Sequence, residues 1–326
     1  MNLHNVKALS LSIISLLSVG CTAQSVSTTS VAQQHINKAY ELAGDTFMRT
    51  TAELQCSNDN RAMAFFEDKR VPPPTKMFDN LYYVGVSTVG AYALQTTEGI
   101  ILIDALNNTE EAKNVIEPGL RELGLDPKNI KIIIVTHGHG DHYGGAKYLS
   151  DKYKIPVMMS DPDWALAANP QVSQASGMPA PDWSEAPDKD LVAKDGQEVT
   201  YGNTSVKLIA TPGHTPGTMS LIFPVIENGK QHMAAMWGGT GIPSQVQSIE
   251  NYIQSAAKFA RLEKELGVDV ALSNHPFVDD SLNRMREYRN NPKGNNPFII
   301  GEQKVLDYTN VMSECAQAAF ARAQDN

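Results

Sequence analysis

From residue 80 onward, hydrophobic and polar positions change places in short blocks. "NLYYVGV" (80–86), "AYALQTT" (91–97) and "GIILIDA" (99–105) are rich in β-branched and aromatic residues and are parted by turn residues, which predicts strands. The period changes in "NTEEAKNVIEPGLRELG" (108–124). A cap at Asn108 or Thr109, acids in the first turn and Gly124 at the end predict a helix there. "NIKIIIVT" (129–136) is a continuous apolar run of strand length, the mark of a buried strand. The second half repeats this logic. "VKLIAT" (206–211) reads as a strand, and "TMSLIFPVIENGKQHMAAMW" (218–237) as a hairpin turning at Asn228-Gly229. A helical pattern covers 246–266, "VDVALS" (268–273) is a strand, and helices over 281–290 and 300–322 finish the chain. Strands and helices mixed in both halves predict an α/β fold, with two sheets packed face to face and helices outside.

The N-terminal pattern differs. Lys7 precedes "ALSLSIISLLSVG" and then Cys21, an apolar stretch of signal-peptide length, too short to span a bilayer. Small residues before Cys21 suit a lipoprotein signal in which that cysteine receives lipid; a cut after Ala23 would instead release a soluble periplasmic protein. Either route predicts export to the periplasm, the first with a lipid tether to the membrane. The chain divides into a signal over 1–21, an N-terminal tether and helical segment over 22–75, and a main domain over 76–326. Within the second part, residues 36–55 form the helical segment and "VPPPTK" (71–76) ends it. Cys56 and Cys315 are a disulfide candidate in an oxidising compartment; two separately buried thiols are the alternative.

Composition narrows the partners. Hydrophobic residues at 42% and charged residues at 19% describe a soluble globular protein. The net charge of −9 argues against nucleic acid, whose phosphates want a basic surface. A small-molecule partner is expected.

The chemistry lies in "THGHGDHYGG" (136–145), where His137, His139, Asp141 and His142 crowd into six positions among glycines. Imidazoles are about half protonated near pH 6.5 and would repel one another if charged, so a cation that holds them neutral makes sense of the crowding. His214 in "PGHTPG" and His275 in "SNHP" also follow strands, where a rigid scaffold presents working groups. Nitrogen and oxygen ligands without thiolates suit Zn2+. Six ligands exceed the needs of one tetrahedral ion, so two Zn2+ are expected, with His137 and His139 facing one and Asp141 and His142 the other. Zinc lowers the pKa of bound water to roughly 7, which makes hydroxide available as a nucleophile. His4, His35 and His232 fall outside these loops and read as signal-peptide, tether and strand-surface residues.

"THGHGDHYGG", "TPGHTPGT" and "SNHP" together resemble the metallo-β-lactamase superfamily, with the similarity running from about Phe78 to the C-terminal helix. "FDNLYYVG", "GIILIDA" and "LGLDPKNIKIIIVTHGHGDHYGG" look most like class B β-lactamases of the third subclass. The resemblance implies an αβ/βα sandwich of two central mixed sheets. It implies one zinc on His137, His139 and His214, and another on Asp141, His142 and His275. It also implies opening of a β-lactam amide by a zinc-bound hydroxide that Asp141 orients.

Related thioesterases, lactonases and tRNA-processing nucleases add a bridging aspartate, and the first two lactamase subclasses add a metal-binding cysteine. The matching stretch "HMAAMWGGTGIP" (232–243) has neither. The third subclass places hydroxyl residues here for the substrate carboxylate. Gly238 stands where one serine is expected and Thr240 where the other is, with Gly239 between them. Thr240 is thus expected to bind the carboxylate. A dinuclear hydrolase of esters, lactones or thioesters is the alternative, and a noncatalytic binding protein on this fold is a third reading. Trp164 and Trp183 read as local packing, Trp237 as packing beneath the chemistry, and residues 171–188 as a rim loop.

Overall fold

The computed structural model describes residues 30–57, 68, 70–169 and 182–324. Seven strands form one sheet in chain order: β1 (Thr75–Lys76), β2 (Leu81–Tyr83), β3 (Tyr92–Thr96), β4 (Gly99–Ile103), β5 (Ile130–Ile134), β6 (Val157–Ser160) and β7 (Leu191–Ala193). Pairing is antiparallel as far as β4 and parallel from β4 to β7. Five strands form the other: β8 (Glu198–Tyr201), β9 (Thr204–Ala210), β10 (Met219–Glu227), β11 (Lys230–Trp237) and β12 (Val270–Ser273), in the order β12-β11-β10-β9-β8. The hairpin between β10 and β11 turns at Asn228 (φ 51°) and Gly229 (φ 78°), the two left-handed residues that its tight turn needs.

Alternation along the strands builds three cores. Ile101, Ile103, Ile132 and Ile134 point inward and meet Leu208, Leu221, Phe223 and Met236 between the sheets. Their neighbours Ile100, Leu102 and Ile133 point outward, onto helices that contribute Ile116, Leu120 and Leu149. Ile222, Ala235 and Trp237 cover the far face of the second sheet with Tyr252, Phe259, Val311 and Met312. Two mixed sheets between two helical layers are the expected αβ/βα sandwich.

The N-terminal pattern folds differently from the sequence expectation. The single helical segment divides at Gly44 into α1 (Val31–Ala43), capped by Ser30, and α2 (Met48–Gln55). Ala39, Ala43, Met48 and Ala52, all within the expected helical segment, belong to the same core as the second sheet, and α1 begins at Val31, five residues ahead of that segment. His35 pairs with Glu314 at 2.6 Å. His232 is buried against Asp269 at 2.5 Å, a correction to its surface reading.

The helix over 109–122, α3, contains a π turn at Ala112–Ile116 ahead of Pro118. Pro118 has no N–H to donate and its ring crowds the carbonyl four residues earlier, that of Asn114, which lies inside the wider turn. Then come α4 (Gly140–Tyr143), α5 (Ala146–Tyr153), α6 (Asp161–Ala167), α7 (Val246–Glu265), α8 (Ser281–Asn290) and α9 (Glu302–Gln324). Cys56 at the end of α2 is disulfide-bonded to Cys315 in α9, with their Cα atoms 4.4 Å apart. No helix among the described residues is long and apolar enough to cross a membrane.

Candidate metal centre

The site forms where strands end. His137 and His139 follow β5, α4 carries Asp141 and His142, His214 follows β9 and His275 follows β12. Two sheets thus deliver their loops to one edge, and six side chains gather there as two triads. His137, His139 and His214 form the first, and Asp141, His142 and His275 the second; the ligand atoms of each triad lie within 4.8 Å of one another.

Hydrogen bonds set which nitrogen faces inward. His137 Nδ1 donates to the Gly238 carbonyl at 2.7 Å, and His214 Nδ1 to the Gly241 carbonyl at 2.7 Å. His275 Nδ1 donates to the Thr88 carbonyl at 2.8 Å, and His142 Nδ1 to Asp104 Oδ2 at 2.8 Å. With its proton held on Nδ1, each ring turns an Nε2 lone pair toward the centre. His139 presents Nδ1, which lies 3.1 Å from both His137 Nε2 and His214 Nε2. Asp141 Oδ1 and His142 Nε2 are buried without a hydrogen-bond partner. Lone pairs converging at such distances repel unless a cation sits among them, so the donor set fits a metal.

Electrostatics points the same way. Burial and the neighbouring imidazoles hold His137 and His214 well below the ordinary histidine range, and burial takes His139 down to about 4. Burial lowers His275 as well. His142 goes the other way: burial pulls it down, but Asp141 and Asp104 outweigh this and raise it to about 10. Burial opposes ionisation of Asp141, yet His142 and His275 hold it well below the usual carboxylate range. Burial thus favours neutral imidazoles in the first triad, whereas the carboxylates around the second favour a cation there, a proton on His142 Nε2 that a metal ion would displace.

Several supporting residues are absent from the sequence reading. Asp104 accepts from Thr136 N at 2.7 Å and Thr136 Oγ1 at 2.9 Å besides holding His142. It sits at φ 59°, a left-handed conformation that is uncommon outside glycine, and a carboxylate closing the apolar strand "GIILIDA" was the available signal. Asn274 donates to the Gly238 carbonyl at 2.8 Å, and Asp163 ties two of the loops together.

Thr240 is corrected by the structure. It is 2% exposed, and its hydroxyl donates to Asn274 Oδ1 at 3.0 Å, so it belongs to the floor of the site and is not turned to a substrate. Gly238 holds His137 through its carbonyl, and a Cβ there would meet the Met219 carbonyl oxygen at 1.9 Å, which leaves no room for a serine. At Gly239 a Cβ would come within 2.7 Å of His214 Cβ.

Trp183 is also corrected. Its ring lies nearly parallel to His139, 17° apart with centroids at 6.4 Å, and its Nε1 donates to Asn107 Oδ1 at 3.3 Å. It flanks the ligands directly. Trp164 packs locally, donating to the Leu191 carbonyl at 2.9 Å, and Trp237 packs on Tyr252 and Phe259 beneath the site. His4 and Cys21, and residues 171–181 of the expected rim loop, lie outside the described residues.

The sandwich thus brings two such triads, a candidate metal centre, to one edge. Residues 84–225 match the family model of the Metallo-beta-lactamase superfamily. Among solved structures it is similar to BJP-1, a subclass B3 metallo-beta-lactamase of Bradyrhizobium japonicum. The identity is 26% and the TM-score 0.64, over 80% of this chain and 98% of that one. It is 26% identical over 240 residues to the Beta-lactamase-like protein 2 homolog of Caenorhabditis elegans, covering 67% of this chain and 69% of the relative. It is 32% identical over 109 residues to a Hydroxyacylglutathione hydrolase of Brucella anthropi, a match spanning 33% of this chain and 34% of that protein's length.

Proposed function

We propose that the chain is a hydrolase that uses two zinc ions to open the amide of a β-lactam ring. The observation that carries this reading is the convergence of five imidazoles and one carboxylate, four of the imidazoles with Nδ1 already committed elsewhere. In this reading His137, His139 and His214 hold one ion, and Asp141, His142 and His275 the other. When bound, the ions supply the Lewis acidity and the acidified nucleophile that amide hydrolysis requires. Asp141 stays ionised and orients the attacking group through its carboxylate. The Trp183 ring beside His139 offers an apolar flank to an acyl substrate. The likeness to a subclass B3 enzyme and the lack of Asp, Glu or Cys between Met233 and Pro243 favour a β-lactam.

A second reading, hydrolysis of esters, lactones or thioesters by the same centre, is favoured by one observation. The Thr240 hydroxyl is committed to Asn274 and not free for a substrate carboxylate. Elemental analysis and a hydrolysis screen of the zinc-loaded protein separate the two. Two zincs per chain with turnover of a penicillin, cephalosporin or carbapenem is the expected result. Efficient lactone or thioester cleavage with negligible β-lactam turnover overturns the substrate, and one zinc or none in an active, metal-replete protein overturns the dinuclear centre.

We also propose export to the periplasm on a signal ending near Cys21. The disulfide supports an oxidising compartment. The mass of the mature N-terminus tests this and separates lipid on Cys21 from a cut after Ala23.

A further inference from the structure

We propose that Asp163 is a positioning residue for the first triad, clamping the two loops that carry His137, His139 and His214 and so setting the affinity for that ion alone. The inference rests on the dinuclear zinc reading above.

Asp163 is buried in the first turn of α6 and belongs to neither triad. Its Oδ2 accepts from Gly138 N at 2.8 Å and from Thr215 Oγ1 at 2.6 Å, and its Oδ1 accepts from Gly217 N at 2.8 Å. Gly138 separates His137 from His139, and Thr215 immediately follows His214. One carboxylate therefore joins a loop from the seven-stranded sheet to a loop from the five-stranded sheet, at the residues next to the three ligands. Two glycines permit the approach. A Cβ on Gly138 would lie 2.8 Å from the Asp163 carbonyl oxygen, and one on Gly217 would lie 2.0 Å from Ser160 Oγ and 2.8 Å from Asp163 Cγ.

The second triad is held by other groups. Asp104 orients His142 and the Thr88 carbonyl orients His275, and none of the hydrogen bonds of Asp163 goes to the second triad or to these two supports. Hydrogen bonds to an ionised carboxylate are short and directional, which suits a clamp. Asparagine at this place keeps the shape but has a single acceptor oxygen, so its amide would face one of the N–H donors it should receive.

Zinc affinity measured by chelator competition, resolved into two constants, tests the clamp. Cobalt(II) absorption then reports which site has changed, because three imidazoles give a different ligand field from a mixed triad. Asp163→Asn is expected to weaken one ion by about ten- to a hundredfold, the usual effect of losing an outer partner of a metal ligand, and to leave the other unchanged. Thr215→Val removes one of the three hydrogen bonds and should move the same constant by less. Equal loss at both sites, or no loss at either, in variants that unfold like the wild type overturns the inference. So does failure of both variants to fold, which would make Asp163 a general brace. A wild type that takes up no zinc overturns the functional reading itself, whereas a two-zinc wild type with non-selective variants overturns the clamp alone.

Discussion

Buried polar atoms without hydrogen-bond partners gather in two regions of the described residues, and they mean different things in each. At the strand ends they are Asp141 Oδ1 and His142 Nε2; around the helices that cover the second sheet they are Glu263 Oε2, Arg284 Nε and Tyr308 OH. The strand-end atoms have company. Other ligating atoms converge on the same space within 4.8 Å. Glu263 has only the Thr309 hydroxyl at 2.8 Å, and Arg284 lies between the rings of Phe47 and Phe298, 4.1 and 4.2 Å from their centroids, with Asp279 at 3.2 Å. An unpaired buried atom implies a cation where ligands converge, and a local energetic cost where they do not.

The largest effect should come from removing the charge of the second triad. Asp141→Asn deletes a carboxylate ligand and leaves His142 and His275 with a neutral neighbour. Turnover should fall by about a thousandfold or more, some 4 kcal/mol of transition-state stabilisation, with loss of the second zinc. Steady-state kinetics and elemental analysis on the same sample check both. Full activity with two zincs retained would break the contrast at its stronger end.

The helical region should respond in stability while the metal centre stays intact. Cys315→Ser opens a link between residues 259 positions apart. It should cost about 2–4 kcal/mol by denaturant unfolding, with zinc content and turnover kept. A parallel loss of zinc would mean that the two regions are not independent.

The same contrast explains what the sequence shows and hides. All six ligands follow strands whose apolar runs are plain in the sequence, and four of them fall within six residues, so local spacing suffices. Their supports come from distant positions. Asp104 and Asp163 reach the histidine loops across 32 and 25 residues, and Asn274 reaches Thr136 across 138, distances that no local pattern encodes. Thr240 misleads for a related reason: between glycines its side chain can turn either way, and the Asn274 amide decides. The packing of the N-terminal helices hides because α1 buries only Ala32, Ala39 and Ala43, so no large apolar stripe announces a packed face. His232 sits on a strand whose alternation is clear, but the partner that draws it inward, Asp269, lies 37 residues on, in the loop before β12.

The smallest expected effect is at Glu263. Burial raises its carboxyl from an ordinary 4.5 to about 8, with the Thr309 hydroxyl opposing only in part. The folded state therefore keeps a proton that the unfolded chain releases above 4.5. Stability should fall as pH rises from about 4.5 to about 8 and be level outside that window. At 1.36 kcal/mol per unit the cost approaches about 4 kcal/mol at the upper end. Glu263→Gln removes it, but buries an amide donor whose lost hydration costs about 1–3 kcal/mol. The net gain near pH 8 should thus be about 1–3 kcal/mol, read as a higher Tm for zinc-loaded variant than for zinc-loaded wild type. The gain should shrink toward pH 5 and vanish or reverse below 4.5, where the acid is protonated in both states. Other groups titrate over this range in both proteins, so the difference between them isolates this one. A difference that does not change with pH would mean that Glu263 is ionised in the folded protein and has a cationic partner there. The unpaired atom among the helices would then carry the same meaning as those at the strand ends, and the contrast would fail.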